Sequence, residues 1–463
     1  MLCKMMRYRD RTPGGTISDV TQTRTHGGVA DLADQVKEHL TAAGLTGKCV
    51  VLPLNNDIGS LAALIAALDM RLACALLPGA IDVDAACPDF ADTVVRVTVA
   101  PDSDTPEVEI TKIAGRTAHD VEQARVYLRT SGSTGKPKWC VHHADLLVAT
   151  SESCIDRLEI AEDDRVMIPV PINHMYGLGA GLLPSILGGA AIHLVGRGNP
   201  LDVFQAERDF EPNMAFMVPS QCRSLMAMRR KPRAYRQIVV AGDRLSADEA
   251  AKFEGLHGPV LNLYGCTELG AIAAARPSMD AETRHEFTGP LIDGVRYCAP
   301  EKGTAEEPTA LAFKATGNFI GYADETGAPT DVAPQCYATG DVGYISEDGY
   351  VRVMGRADHA IKRDGLFVHL SEVEGCLAGI DAVAEAVVVT AGETRRGVGI
   401  TAFCVIAKSA ALSEDDIRAH CINALPSRAV PDVIKVVETL PRLDNGKSDR
   451  MALAAQAAEL AAL

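Results

Sequence analysis

Ten consecutive residues, Arg129-Thr130-Ser131-Gly132-Ser133-Thr134-Gly135-Lys136-Pro137-Lys138, combine small hydroxyl side chains, glycines and lysines. Glycine has no Cβ, so main-chain amides can crowd an anion there, and hydroxyls and ammonium groups add donors. The chemistry that suits such a loop is phosphate binding. It is not a P-loop, which needs Gly-x4-Gly-Lys-Ser/Thr. Here Thr130 stands five positions before Gly135, and Pro137 follows Lys136, which excludes a P-loop kinase. Farther along, Tyr264-Gly265-Cys266-Thr267-Glu268 offers a ring able to stack on a base and a carboxylate able to hold Mg²⁺ against phosphate oxygens. In Tyr337-Ala338-Thr339-Gly340-Asp341, the aspartate sits in a turn sequence, where its carboxylate can accept bonds from both hydroxyls of a ribose. Taken singly, each of these is also what an ordinary surface turn contains.

In this order along the chain the motifs resemble those of the adenylate-forming superfamily: acyl- and aryl-CoA ligases, peptide-synthetase adenylation domains and luciferases. The resemblance extends from the phosphate loop to the C-terminal part. It implies that Thr130, Ser131, Gly132, Ser133, Thr134, Gly135 and Lys138 hold the phosphates of ATP, and that Gly242 and Asp243 lie on the adenine side. It further implies that Tyr264, beside Gly265, stacks on adenine, that Thr267 contacts phosphate, that Glu268 binds the metal and that Asp341 binds the ribose. The stretch Gly355-Arg356-Ala357-Asp358-His359-Ala360-Ile361-Lys362-Arg363-Asp364-Gly365 matches the family's linker. There Arg356 would contact the ribose region, Asp358 would be the hinge, and Gly365 would begin a turn lining the thiol tunnel. Pro441-Arg442-Leu443-Asp444-Asn445-Gly446-Lys447-Ser448-Asp449-Arg450 matches the closing motif, whose lysine, here Lys447, bridges the carboxylate and the α-phosphate. Pro171-Ile172-Asn173-His174-Met175-Tyr176-Gly177 resembles the segment whose histidine gates the acyl pocket; as a residue type, His174 reads equally as a core histidine. Trp139 departs from the family by standing where glycine usually follows the loop lysine, and Asp243-Arg244 replaces a Glu-Pro type pair.

The implied reaction has two steps. A carboxylate attacks the α-phosphate of ATP, with Mg²⁺ bound, to give acyl-AMP and pyrophosphate. A thiol then displaces AMP after the C-terminal domain swings about Asp358. CoA is the favoured thiol, because the 361–368 loop is kept and no carrier domain occurs within these residues. A carrier-protein thiol, or an amine giving an amide, is the alternative acceptor. A non-catalytic adenylate-binding protein is the alternative of another class, and the presence of Glu268, Asp341 and Lys447 speaks against it. Pocket walls are expected from residues 174–181, 219–222, 239–242 and 265–272, where small residues leave room for an aryl or a small to medium acyl acid.

Composition narrows the class. A formal net charge of −16 with no basic run argues against nucleic-acid binding. The 13 cysteines are scattered without a Cys-x-x-Cys, the pattern of a reduced protein without a disulfide framework. No secretory signal is read at the N-terminus. The most apolar stretch, 61–77, is interrupted by Asp69 and Arg71 and reads as a buried helix and a strand, not a membrane span. A cytoplasmic protein is expected; nothing speaks to its oligomeric state.

Positioning the site residues requires an α/β frame. Strands are expected at 73–77, 165–170, 190–195, 214–218, 237–241 and 260–264, with helices at 60–68, 180–187 and 246–256. Such alternation predicts doubly wound, largely parallel sheets, with Gly242-Asp243 and Gly265 to Glu268 just beyond carboxyl strand ends. Residues 287–354 read as a small β subdomain. A small α+β domain follows, in which Ser413 caps a helix carrying Ile417 and Cys421 on one face. The expected division is 1–356 for the N-terminal domain and 359–463 for a small mobile domain, with the hinge at 357–358.

Overall fold

The computed structural model describes residues 2–461 apart from 10–14, 47, 115, 117–120, 123, 131–137, 197, 230, 244, 316–318, 331–333, 358, 359, 364, 365, 408, 409 and 444–447. The chain divides into two compact units. The first comprises Met1–Cys298, Phe313–Tyr337 and Gly349–Val351; the second comprises Ala299–Ala312, Ala338–Asp348 and Arg352–Leu463.

Two mixed sheets, mainly parallel at their centres, build the first unit. In one, the strands Val260–Cys266, Gln237–Val240, Met214–Met217, Arg165–Ile168 and Ala191–Leu194 lie side by side, all parallel, with antiparallel strands at the edges. In the other, Thr93–Thr98, Cys49–Leu54, Ala73–Pro78 and Arg125–Arg129 are parallel. Their Val, Leu, Ala and Cys runs are buried on both faces, as parallel sheets covered by helices require. Helix Ile58–Asp69 is apolar all round, and every residue from Ile58 to Leu68 is buried. Asp57 starts it by accepting from the Ser60 amide at 2.7 Å. Just before this helix, buried Asn56 donates to the carbonyls of Ile168 and Val170, both at 3.0 Å, and accepts from the Ile172 amide at 3.1 Å. One short side chain thus fixes the chain that leads into the His174 turn.

Three expectations need correction. The helix expected at 180–187 is in fact a π-helical turn, Tyr176–Leu182, running into the α-helix Leu183–Gly188. A Cβ on Gly177 would come within 2.2 Å of the Pro171 carbonyl, so glycine lets the wide turn close on the preceding segment. The β-rich region is not all one subdomain, because Phe319–Tyr322 pairs antiparallel with Trp139–His143 and extends the second large sheet. Finally, Cys298 and Cys336 form a disulfide, with Cα atoms 5.9 Å apart, whereas 11 other cysteines are free. A separation of 38 residues hides that pairing from any spacing rule.

The second unit carries a sheet in which Leu366–His369, Ala360–Arg363, Gly397–Ile406 and Val383–Thr394 are neighbours and antiparallel, with Val433–Val437 parallel to Gly397–Ile406. Helices Leu370–Ala378, Glu414–Ala424 and Arg450–Ala461 flank it in sequence. Ser413 caps the second of these in a capping box with Asp416, and Ile417 and Cys421 are buried. Arg363 is fully buried and is neutralised by Asp432 at 2.7 Å, whose other oxygen accepts from the Ile400 amide at 2.8 Å. Arg450, the last residue of the closing motif, reaches Glu374 at 2.9 Å and the Val388 carbonyl at 2.9 Å.

Candidate active site

The strands Arg125–Arg129 and Trp139–His143 are antiparallel neighbours, so the phosphate loop joins them as a hairpin connection. Its described ends are clamped: the Thr130 amide donates to the Lys138 carbonyl at 2.8 Å, and Arg129 pairs with Trp139. Ser131, Gly132, Ser133, Thr134 and Gly135 lie outside the described residues, as do Asp358, Gly365 and Lys447. Trp139, the departure from the family, is accommodated by packing edge-on to Phe90, with ring centroids 6.3 Å apart.

Lys138 is exposed, and its ammonium stands 5.0 Å from the ring centre of Tyr322, within cation–π range. The Tyr322 hydroxyl donates to Glu268 Oε1 at 2.7 Å and is 2.8 Å from the Tyr337 hydroxyl. The first unit therefore brings together a lysine from the phosphate loop and the carboxylate of the Thr-Glu motif through one tyrosine. Glu268 is buried, 9% exposed. Two thiols, Cys140 and Cys266, lie near its carboxylate; burial first, and the Glu268 charge after it, push both upward, which keeps them protonated and unreactive. The Thr-Glu motif is placed by a register shift between Tyr264 and Gly265 in the strand Val260–Cys266. A Cβ at Gly265 would meet the Gly270 carbonyl at 2.3 Å, so only glycine lets the two strands close there. Tyr264 is buried edge-on to Phe313 at 6.0 Å, and Thr267 is half-buried. Gly242 and Asp243 are exposed beyond the end of Gln237–Val240, Gly242 with φ of 90°.

His174 is half-buried in the turn before the π-helical segment, so it is not the fully enclosed core histidine. Its neighbour Tyr176 places its hydroxyl 2.8 Å from the Val239 carbonyl and 3.1 Å from that of Met217, tying two carboxyl strand ends together. A narrow recess with a cavity volume of about 30 Å³ is lined by residues including Leu147, Met175, Gly179, Leu269, Gly270 and Ile292. The expected walls 174–181 and 265–272 share it, whereas 219–222 and 239–242 do not line it.

In the second unit, Arg356 donates to the Thr339 carbonyl at 2.9 Å and stands 3.6 Å from Asp341. The turn between them needs glycine: Gly340 has φ of 78°, and a Cβ there would lie 2.8 Å from the Arg356 guanidinium. The two residues that the resemblance assigns to the ribose thus meet. Among the described residues no cluster of three or more His, Cys, Asp or Glu side chains forms a metal site. A lone Glu268 carboxylate fits Mg²⁺, which uses one or two carboxylates and completes its shell with water and phosphate oxygens. Asn56, Tyr176, Tyr322 and Tyr337 were not singled out as site residues by their types or spacing.

One buried group near this site makes the fold acid-sensitive. His142 is fully buried beside Phe319, and burial pushes it down to about 4, with the Thr267 main chain pulling slightly the other way. The unfolded chain binds that proton near pH 6.5, so stability present above 6.5 is lost as pH falls toward 4. Between pH 7 and 5 the loss from this residue is about 2 kcal/mol. Denaturant midpoints at the two pH values should converge in His142→Leu, although only in part, because burial holds His257 near 4 as well.

Residues 91–310 match the AMP-binding enzyme family, and residues 372–447 match the AMP-binding enzyme C-terminal domain. The chain belongs to this family, the adenylate-forming superfamily. It is 27% identical over 379 residues, 80% of its length and 70% of the relative's, to 3-[(3aS,4S,7aS)-7a-methyl-1,5-dioxo-octahydro-1H-inden-4-yl]propanoyl:CoA ligase of Rhodococcus jostii. It is 29% identical over 344 residues to benzoate–CoA ligase of Thauera aromatica, a match spanning 71% of this chain but 65% of the relative. Its fold is that of an anthranilate CoA ligase solved with anthranoyl-AMP, with a TM-score of 0.83 at 19% identity, over 100% of this chain and 98% of that one. Among the described residues no helix is long and apolar enough to cross a membrane.

Proposed function

We propose that this protein is an ATP-dependent acid–thiol ligase that makes an acyl- or aryl-adenylate and passes the acyl group to CoA. The observation that carries this reading is the convergence of Lys138, Tyr322 and Glu268 on one place in the first unit. In the first step a carboxylate oxygen bonds to the α-phosphorus of ATP, and the bond to pyrophosphate breaks. Lys138 and the amides and hydroxyls of residues 130–135 hold the phosphates, and Asp341 with Arg356 holds the ribose. Bound Mg²⁺ would supply charge neutralisation at the phosphates, with Glu268 as its protein ligand. Lys447 would supply the positive charge that offsets the carboxylate and the α-phosphate. In the second step the sulfur of CoA bonds to the acyl carbon, the bond to AMP breaks and the thiol proton leaves to solvent. The small residues Gly179, Gly270 and Ala271 along the recess favour an aryl or a small to medium acyl acid. Localisation in the cytoplasm is part of this reading.

Pyrophosphate exchange into ATP, screened over aryl and short-chain acids, tests the first step. Exchange that needs both an acid and Mg²⁺ is expected, followed on adding CoA by equal amounts of AMP and thioester. Exchange with no acid in a broad panel would refute the reading. The two steps should also separate in Asp358→Pro. Proline fixes φ near −65° and cannot follow a hinge torsion. With the domain locked in the adenylate-forming pose, pyrophosphate exchange should survive while thioester formation fails, and Asp358→Ala should retain both. A proline variant with normal overall turnover would remove residue 358 as the pivot.

A further inference from the structure

We propose that Tyr322, braced by Tyr337, is a positioning residue that sets the carboxylate of Glu268 for its cation. The inference rests on the metal role assigned to Glu268 above. It starts from proton counting. An ionised carboxylate only accepts, so the single hydroxyl hydrogen of Tyr322 is spent on Glu268 Oε1, at 2.7 Å. The contact between the two hydroxyls, at 2.8 Å, must then run from Tyr337 to Tyr322. The result is a directed chain, Tyr337 to Tyr322 to Glu268, in which each bond polarises the next.

The arrangement is built from separate parts of the chain. Glu268 follows the strand Val260–Cys266 in the first large sheet. Tyr322 ends the edge strand Phe319–Tyr322 of the other large sheet. Tyr337 directly follows Cys336, which is bonded to Cys298. The Phe319 ring packs edge-on to both tyrosines, at 5.4 Å from Tyr322 and 5.7 Å from Tyr337, so neither ring is free to turn away. Lys138 lies over the Tyr322 ring, which links the same tyrosine to the end of the phosphate loop. A ligand carboxylate held in this way is already oriented, and outer partners of metal ligands typically contribute ten- to a hundredfold in affinity.

The test follows Mg²⁺ binding in the presence of ATP through the fluorescence of Trp139, the chain's one tryptophan, next to Lys138. Tyr322→Phe should weaken apparent Mg²⁺ affinity about tenfold and raise the Mg²⁺ requirement of pyrophosphate exchange by a similar factor. Tyr337→Phe should act in the same direction but less. In the Glu268→Ala background, Tyr322→Phe should have no further effect on Mg²⁺. If Glu268→Ala weakens Mg²⁺ binding and Tyr322→Phe does not, the positioning role is overturned. A Tyr322→Phe effect that persists undiminished in the Glu268→Ala background would overturn it too, since the tyrosine would then act elsewhere. If Glu268→Ala itself leaves Mg²⁺ binding unchanged, the metal assignment of Glu268 fails, and this inference with it. Wild-type Mg²⁺ binding without any acid-dependent exchange would instead refute the proposed reaction alone.

Discussion

Lys447→Ala is expected to abolish adenylate formation, by about a thousandfold or more, while largely sparing thioester formation from supplied acyl-AMP. The argument is electrostatic. As the carboxylate approaches the α-phosphate, two negative groups are pressed together, and an ammonium between them stabilises the charge that builds up there. Loss of one such preorganised donor typically costs about two to three powers of ten, and a full positive charge costs more than a neutral donor. The chain is acidic overall, with a formal charge of −16, so positive charge at the reacting atoms has to be supplied locally. Pyrophosphate exchange reads the first step, and CoA-dependent release of AMP from synthetic acyl-AMP reads the second. Equal loss in both would mean that the lysine supports the fold of its domain or that the domain does not alternate.

Regular elements with clear end signals were legible from the sequence. Ser246 and Ser413 cap their helices because a short hydroxyl side chain can reach the third amide, and Glu249 and Asp416 answer in kind. The helix at Ile58–Asp69 followed from an apolar run of that length, and the parallel strands followed from short β-rich runs between helices. The motif residues were read from their likeness, in order, to a family's motifs rather than from local physics. The structure adds that Gly265 and Gly340, beside Glu268 and Asp341, permit close approaches that no other residue allows.

What stayed hidden depends on pairing between distant segments. Tyr322 and Glu268 are 54 positions apart, and their contact exists only because an edge strand of one sheet comes beside the end of another. A tyrosine carries no local sign of such a partner. Asn56 is hidden in the same way, since its four partners come from chain more than a hundred residues on. The disulfide of Cys298 joins two loop positions with no spacing signature. The π-helical turn at Tyr176–Leu182 escaped because alternating glycines remove the side chains from which a helical period is read.

Glu268→Gln should slow adenylate formation about a hundredfold and raise the Mg²⁺ requirement. Glutamine matches the shape of glutamate and can still accept the Tyr322 hydroxyl, so the chain from Tyr337 and the packing around Phe319 should persist. What is lost is the negative charge opposite a divalent cation. The effect should therefore be partly recovered at high Mg²⁺, whereas a packing defect would not be. Thermal unfolding should be little changed, because glutamine keeps the volume of glutamate and the hydrogen bond from Tyr322. Thioester formation from supplied acyl-AMP should be affected far less than exchange, since pyrophosphate has already left. A variant with normal rate and unchanged Mg²⁺ dependence would show that the buried carboxylate serves the fold alone, and the cation would then have to be held by substrate oxygens and water.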